Sequence, residues 1–281
     1  MTDVVQVSKV RCFDGWQYVF KHPSETVGCE MTFGVYIPDH KQNDEKLPTL
    51  FYLSGLTCTH ANFIEKSGFQ RFASKHRFIV VNPDTSPRNV NIPGEDDSWD
   101  FGSGAGFYVN ATAEPWSKHY RMYSYVVEEL PQVAAKVAPI DNHKMGIFGH
   151  SMGGHGALVI GLRNPQLFKS ISAFSPISNP TSCAWGIKAL TGYLGEDKSK
   201  WADYDASLLL AKYDGPERHI LADQGAEDDF LKQDQLRPEA LKSTSKVQVE
   251  VRMQPEHGHS YYFISTFIED HFTHFAKQIN H

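Results

Sequence analysis

The sequence predicts an α/β fold with a mostly parallel central sheet covered by helices on both faces. Three observations predict it. Short apolar runs alternate with longer stretches of helical character along most of the chain. No internal repeat, low-complexity tract or Pro/Gly/Ser-rich linker divides the 281 residues, which favours one domain over 1–281. A Gly-x-Ser-x-Gly motif also sits between one apolar run and one helical stretch.

The elements follow in order. Gln17-Lys21 and Cys29-Ile37 read as strands, the second because Met31, Phe33 and Val35 alternate with their neighbours. Asp39-Lys46 is polar and turn-like, and Thr49-Leu53 is a short buried strand. Ala61-His76 reads as a helix, Phe78-Val81 as a strand, and Tyr120-Val137 as a helix that Pro131 should end or kink. Then come Met145-Phe148 (strand), Gly153-Arg163 (helix), Ser170-Phe174 (strand) and His219-Ala222 (strand). Lys232-Lys242 (helix), Val247-Met253 (strand) and Tyr261-Ile279 (helix) complete the chain. In parallel sheets of this kind, functional groups gather at the carboxyl ends of the strands.

Composition excludes several classes of function. Charged residues make up 21% and apolar residues 41%, with a formal net charge of −6, and no stretch concentrates Lys and Arg as a nucleic-acid footprint would. No apolar run approaches the roughly eighteen residues of a membrane span, and the first residues show no secretory pattern, so the expected compartment is the cytoplasm. Cys12, Cys29, Cys58 and Cys183 form neither CxxC pairs nor a dense framework and read as free thiols. Fourteen histidines invite a metal, but none lies in H-E-x-x-H or tight ligand spacing, so neither metal nor cofactor is expected.

Gly149-His150-Ser151-Met152-Gly153 follows the strand Met145-Phe148 and opens the next helix, the context of a nucleophile elbow and of the α/β-hydrolase fold. A serine on so tight a turn needs small neighbours, and the helix behind it aims N–H groups at a developing oxyanion. Ser151 is therefore the expected nucleophile. The oxyanion donors expected from position are the backbone N–H groups of Met152 and of Leu56, the latter in the loop after Thr49-Leu53. In this fold the acid and then the base follow the serine along the chain. Asp223, Glu227, Asp228 and Asp229 all lie after one later strand, and His257 and His259 after the next; position alone does not choose among them.

Several stretches together resemble the S-formylglutathione hydrolase (esterase D) family. They are L-S-G-L-T-C-T at 53–59, G-S-G-A-G-F-Y-V-N-A-T at 102–112, G-H-S-M-G-G-H-G-A at 149–157, Asp223-Gln224-Gly225, and H-S-Y-Y-F at 259–263. The resemblance implies cytosolic hydrolysis of the small thioester S-formylglutathione to glutathione and formate, in formaldehyde detoxification, by a homodimer. Its G-x-x-D-x-F pattern falls on Gly225-Phe230 and makes Asp228 the triad acid, and H-S-Y-Y-F makes His259 the base. It also places a cysteine near the active site at Cys58, where a thiol would confer sensitivity to mercurials or oxidation.

Trp99, Trp185 and Ile187 join Cys58 as substrate-pocket candidates, and the stretch Gly102-Gly106 with Phe101, Phe107 and Tyr108 could shape the same pocket. Two places depart from the family's pattern. His257-Gly258 stands where relatives read Y-D, and Ala184-Trp185-Gly186-Ile187 lacks the usual preceding Pro and following polar residue. Ile187 makes that rim more apolar, which bears on the choice between formyl and longer acyl groups. A broad short-chain carboxylesterase or thioesterase of the same fold is the competing expectation. A catalytically silent binding module is disfavoured, because Ser, Asp and His stand intact and in order.

Overall fold

The computed structural model describes residues 4–40 and 45–280, so the turn-like 39–46 segment lies partly outside the described residues. The strands are β1 (Val5–Arg11), β2 (Gly15–Ser24), β3 (Cys29–Pro38), β4 (Leu47–Leu53), β5 (Ile79–Pro83), β6 (Ile140–His150), β7 (Ser170–Phe174), β8 (Arg218–Gly225) and β9 (Val247–Gln254). Among the described residues they form one nine-stranded sheet in the order β1-β2-β3-β5-β4-β6-β7-β8-β9. β1, β2 and β3 pair antiparallel, and β3 meets β5 antiparallel. From β5 to β9 every pairing is parallel, which gives the mostly parallel α/β-hydrolase sheet.

The principal helices are α1 (His60–Lys66), α2 (Gln70–His76), α3 (Met122–Ser124), α4 (Leu130–Ala134), α5 (Met152–Arg163), α6 (Ala184–Leu194), α7 (Ala206–Lys212), α8 (Asp229–Lys232) and α9 (Tyr261–Gln278). Side chains on the central strands alternate between two cores, as the pleat requires. On β4, Leu50 and Tyr52 join Phe63, Phe69, Phe272 and Phe275 beneath α1, α2 and α9. Phe51 and Leu53 point the other way, into a larger core with Leu158 and Ile160 of α5. Both faces are covered, so these strands read as continuous apolar runs rather than alternating ones. α5 is buried from Met152 to Leu162, and its sequence is accordingly apolar all round. No described helix is long and apolar enough to cross a membrane.

The structure departs from the sequence reading at several points, each for a local reason. Ala61-His76 is two helices, because Gly68 takes φ +68° between α1 and α2. Tyr120-Val137 is helical and interrupted at Pro131 as expected, with the break falling just before the proline. A π-turn over Tyr125–Glu129, closed by Leu130 N–H to Tyr125 C=O, shifts the ladder just before Pro131, which has no N–H to donate. Lys232-Lys242 is not a helix. α8 ends at Lys232, Asp234 and Arg237 adopt left-handed φ of 59° and 51°, and Pro238 opens only a short 3₁₀ turn. β1 carries no readable signal because it is an edge strand exposed on both faces, and α6 and α7 also escaped the pattern reading.

Registers align the carboxyl ends of the parallel strands. Leu53 pairs with Gly149, His150 with Phe174, and Phe174 with Asp223. The order reverses at β4, whose neighbours are β5 and β6, so a crevice opens beyond its end.

Candidate active site

β6 ends at His150, and the chain turns into α5 through Ser151 at φ 57°, ψ −119°. Such a backbone costs about 1–3 kcal/mol for a residue other than glycine and must be held from outside. Ser151 N–H donates to Phe174 C=O at 2.9 Å, and Ser151 C=O accepts from His155 and Ile177 N–H groups at 2.9 and 3.3 Å. Both motif glycines are required by close approach. A Cβ on Gly153 would lie 1.9 Å from Leu53 C=O, and one on Gly149 would lie 2.3 Å from Gly153 C=O.

β8 leads to Asp228, which is fully buried and caps α8 by accepting Phe230 N–H at 2.9 Å. Its other oxygen lies 2.5 Å from His259 Nδ1, in the loop between β9 and α9. Glu227 N–H donates to His257 C=O at 2.9 Å and staples the two loops together. Burial by itself would raise the Asp228 carboxyl. The His259 hydrogen bond and charge interaction, with the Phe230 amide, hold it below the ordinary carboxylate range. An ionised carboxylate accepts, so the proton of neutral His259 sits on Nδ1 and Nε2 is left as the basic nitrogen.

Ser151, His259, Leu56 and Cys58 wall one cavity of about 180 Å³. Met152 begins α5, so its N–H has no partner within the helix. Leu56 N–H makes no hydrogen bond among the described residues, whereas its neighbour Thr57 donates to Gly104 C=O at 2.9 Å. Trp99 and Trp185 also wall the cavity and meet edge to face at 5.4 Å. Ile187 stands 41% exposed on α6 and does not line it. Burial pushes the Cys58 thiol up, which keeps it protonated at neutral pH.

Five cavity residues escaped the sequence reading as site residues: Gly55, Thr57, His150, Phe230 and Tyr261. Phe230 packs edge to face on His259 at 4.8 Å and on Trp185 at 4.7 Å, which makes a continuous aromatic wall from the base to the rim. The His150 ring lies 4.3 Å from that of His259. Burial first, then the neighbouring imidazole, holds His150 far below the ordinary range, so it presents no second positive charge to an imidazolium at His259. Each of these residues lies within one of the quoted motifs, and that was their sequence signal.

The alternative acids and base lie elsewhere. Asp223 turns beneath the sheet to Arg252, Gln254 and His271, and Glu227 pairs on the surface with Lys232. Asp229 is the first residue of α8, and His257 packs on Phe267. Phe107 and Tyr108 are buried and do not line the cavity; Tyr108 Oη donates to Ser54 C=O at 2.9 Å and braces the Leu56 loop from behind. Among the described residues, no cluster of three His, Cys, Asp or Glu side chains could hold a metal ion.

A serine in a nucleophile elbow at the switch point of a mostly parallel sheet, facing an Asp-bound histidine across a cavity, is the arrangement of the α/β-hydrolase-type serine esterases. Residues 24–274 match the family model described as putative esterase. The chain is 55% identical to S-formylglutathione hydrolase of Mus musculus over 278 residues, covering 98% of each chain. It is 51% identical to that of Arabidopsis thaliana over 278 residues, covering 98% of this chain and 97% of that one. A solved S-formylglutathione hydrolase from Agrobacterium tumefaciens superposes with a TM-score of 0.92 at 49% identity, over 98% of this chain and 99% of that one. The chain belongs to the S-formylglutathione hydrolase family.

Proposed function

We propose that the protein hydrolyses S-formylglutathione to glutathione and formate, with Ser151 as nucleophile, His259 as general base and Asp228 as the carboxylate that orients it. Ser151 Oγ attacks the thioester carbonyl while His259 Nε2 takes its proton. The oxyanion forms against the Met152 and Leu56 amides, each worth roughly 3 kcal/mol in comparable sites. Collapse expels the thiol of glutathione, which leaves with the proton from His259. Water, deprotonated by the same nitrogen, then attacks the formyl-enzyme, releases formate and restores Ser151.

The observation that carries this reading is the buried Asp228 carboxylate 2.5 Å from His259 Nδ1, in a cavity that the elbow serine also lines. A small acyl group suits the site, because a cavity of about 180 Å³ is on the scale of one that holds a benzene ring and so limits the length of chain it can take. A homodimer in the cytosol fits the same reading. The edge strand β1 leaves Val5, Val7 and Val10 exposed, an apolar border suited to a second copy, and sedimentation would measure the association.

The specificity constants for S-formylglutathione, S-acetylglutathione and p-nitrophenyl acetate, with Ser151→Ala as blank, test the function. A strong preference for the formyl thioester, abolished in the variant, is expected. Comparable constants on all three would leave a general short-acyl esterase.

A further inference from the structure

A cavity of about 180 Å³ cannot hold a tripeptide, because pockets that enclose drug-sized ligands span about 300–1,000 Å³. The peptide part of a glutathione thioester must therefore lie outside the catalytic cavity. Tyr261, one wall of that cavity, also borders a second recess of about 530 Å³ formed with Lys66, Ser260 and Tyr262. Tyr262 is 86% exposed beside the recess. Ser260 follows the base His259 in sequence and Tyr261 lines both recesses, so the two adjoin.

S-acylglutathione carries two carboxylates and one ammonium, so its recognition calls for a cation at the correct distance. The cations near the cavity mouth can be sorted by their partners. Arg88 is held by Asp84 and Cys58 C=O, and Lys188 by Asp100 and Ser98. Lys232 pairs with Glu227, and Arg237 with Ser182 C=O, Asp234 and Glu239. Lys66, exposed in the last turn of α1, makes no ion pair or hydrogen bond among the described residues. Its field nevertheless reaches the cavity wall, where it partly offsets the burial that raises the Cys58 thiol.

We propose that the recess between Lys66 and Tyr262 receives the peptide portion of the thioester, with the Lys66 ammonium paired to one of its carboxylates. This assignment rests on the glutathione reading of the site above. Tyr262 then covers the aliphatic part of the peptide, and Lys66 acts as a specificity residue for the leaving group with no part in the bond-breaking steps. A lysine in the last turn of a helix also favours the helix dipole. That role alone would change stability without changing the choice between charged and neutral substrates.

The test compares Lys66→Ala, Lys66→Glu and Lys66→Arg with the parent on S-formylglutathione and on neutral p-nitrophenyl acetate. It also measures inhibition of p-nitrophenyl acetate hydrolysis by glutathione. The ratio of the specificity constants, charged thioester over neutral ester, should fall about threefold in Lys66→Ala and about tenfold in Lys66→Glu, through KM. Lys66→Arg should keep most of it, and the glutathione inhibition constant should rise in parallel. An unchanged ratio in Lys66→Glu, with the parent still preferring S-formylglutathione, overturns the Lys66 assignment and leaves the proposed function standing. A parent without that preference overturns the proposed function. Lys66 is then decided by inhibition alone, and glutathione that inhibits Lys66→Glu as well as the parent, or inhibits neither, overturns it.

Discussion

Asp228 shows how much one buried carboxylate can carry. It is the N-cap of a four-residue helix and the only acid of its loop bonded to the histidine that faces Ser151 across the cavity. Asp228→Asn keeps the shape and the cap, but its amide can present N–H to His259 Nδ1 and so favour the wrong tautomer. The expected outcome is a fall in kcat of roughly 10³- to 10⁴-fold with the melting temperature nearly unchanged, read by steady-state kinetics beside calorimetry. Ser151 and the two motif glycines were legible because a strained turn tolerates few residue types. Asp228 and His259 were legible only through the family resemblance, since four acids and two histidines satisfied the chain order equally.

Between elements, a second set of buried polar groups joins β7, β8, β9 and α9. Asp223 on β8 is fully buried and accepts from Arg252 Nε at 2.8 Å and Gln254 Nε2 at 2.8 Å, both on β9. His271 of α9 bridges Asp223 at 3.0 Å and Ser172 Oγ of β7 at 2.8 Å. Burial would raise the Asp223 carboxyl, but its bonds to His271 and Arg252 hold it well below the ordinary range. The network docks the helix that begins just after His259, and the His271 ring stacks at 3.7 Å on Phe174, whose carbonyl holds the Ser151 amide. Asp223→Ala leaves Arg252 without its main partner and His271 half-bonded. It should cost about 3 kcal/mol or more, seen as a lower urea midpoint at unchanged m-value. The network itself was not readable beforehand: Asp223 appeared as one acid among several near a strand end and in the stretch Asp223-Gln224-Gly225, but nothing in the sequence named Arg252 and His271 as its partners.

Over the whole molecule, His22, His150, His155, His271 and His274 are buried among protein groups. His155 Nε2–H donates to Phe107 C=O at 2.9 Å, and burial lowers its pKa to about 4. Burial likewise lowers His274 to about 3, and His150 and His271 also lie below the ordinary range. In the unfolded chain each titrates near 6.5, so the unfolded state binds more protons once the pH drops below that value. The stability from keeping them neutral is complete above pH ~6.5 and is lost as the pH falls toward the folded values. Asp223 and Asp228, held low in the folded state, add a loss of the same sign below pH ~4. Calorimetry from pH 7 to pH 5 should show a falling melting temperature. Unfolding near pH 5 should take up protons onto the buried histidines, about two of them on His155 and His274 alone and more on His150, His271 and His22, measured through the buffer-ionisation dependence of the enthalpy.

The sequence by itself determined the strand and helix alternation of the parallel half, the elbow at Ser151 and the family. Those features rest on local constraints: a pleat covered on both faces demands apolar runs, and a strained turn demands glycines. Only the tertiary structure decided which acid meets which histidine, that Trp185 and Phe230 form one wall with His259, and that Lys66 stands without a partner beside the cavity. It also decided the breaks at Gly68 and after Lys232, where backbone conformation outweighed a helical pattern, whereas the break at Pro131 was legible in the sequence. Residues far apart in the chain meet only when β4, β6, β8 and β9 align their carboxyl ends, and that alignment is a property of the whole sheet.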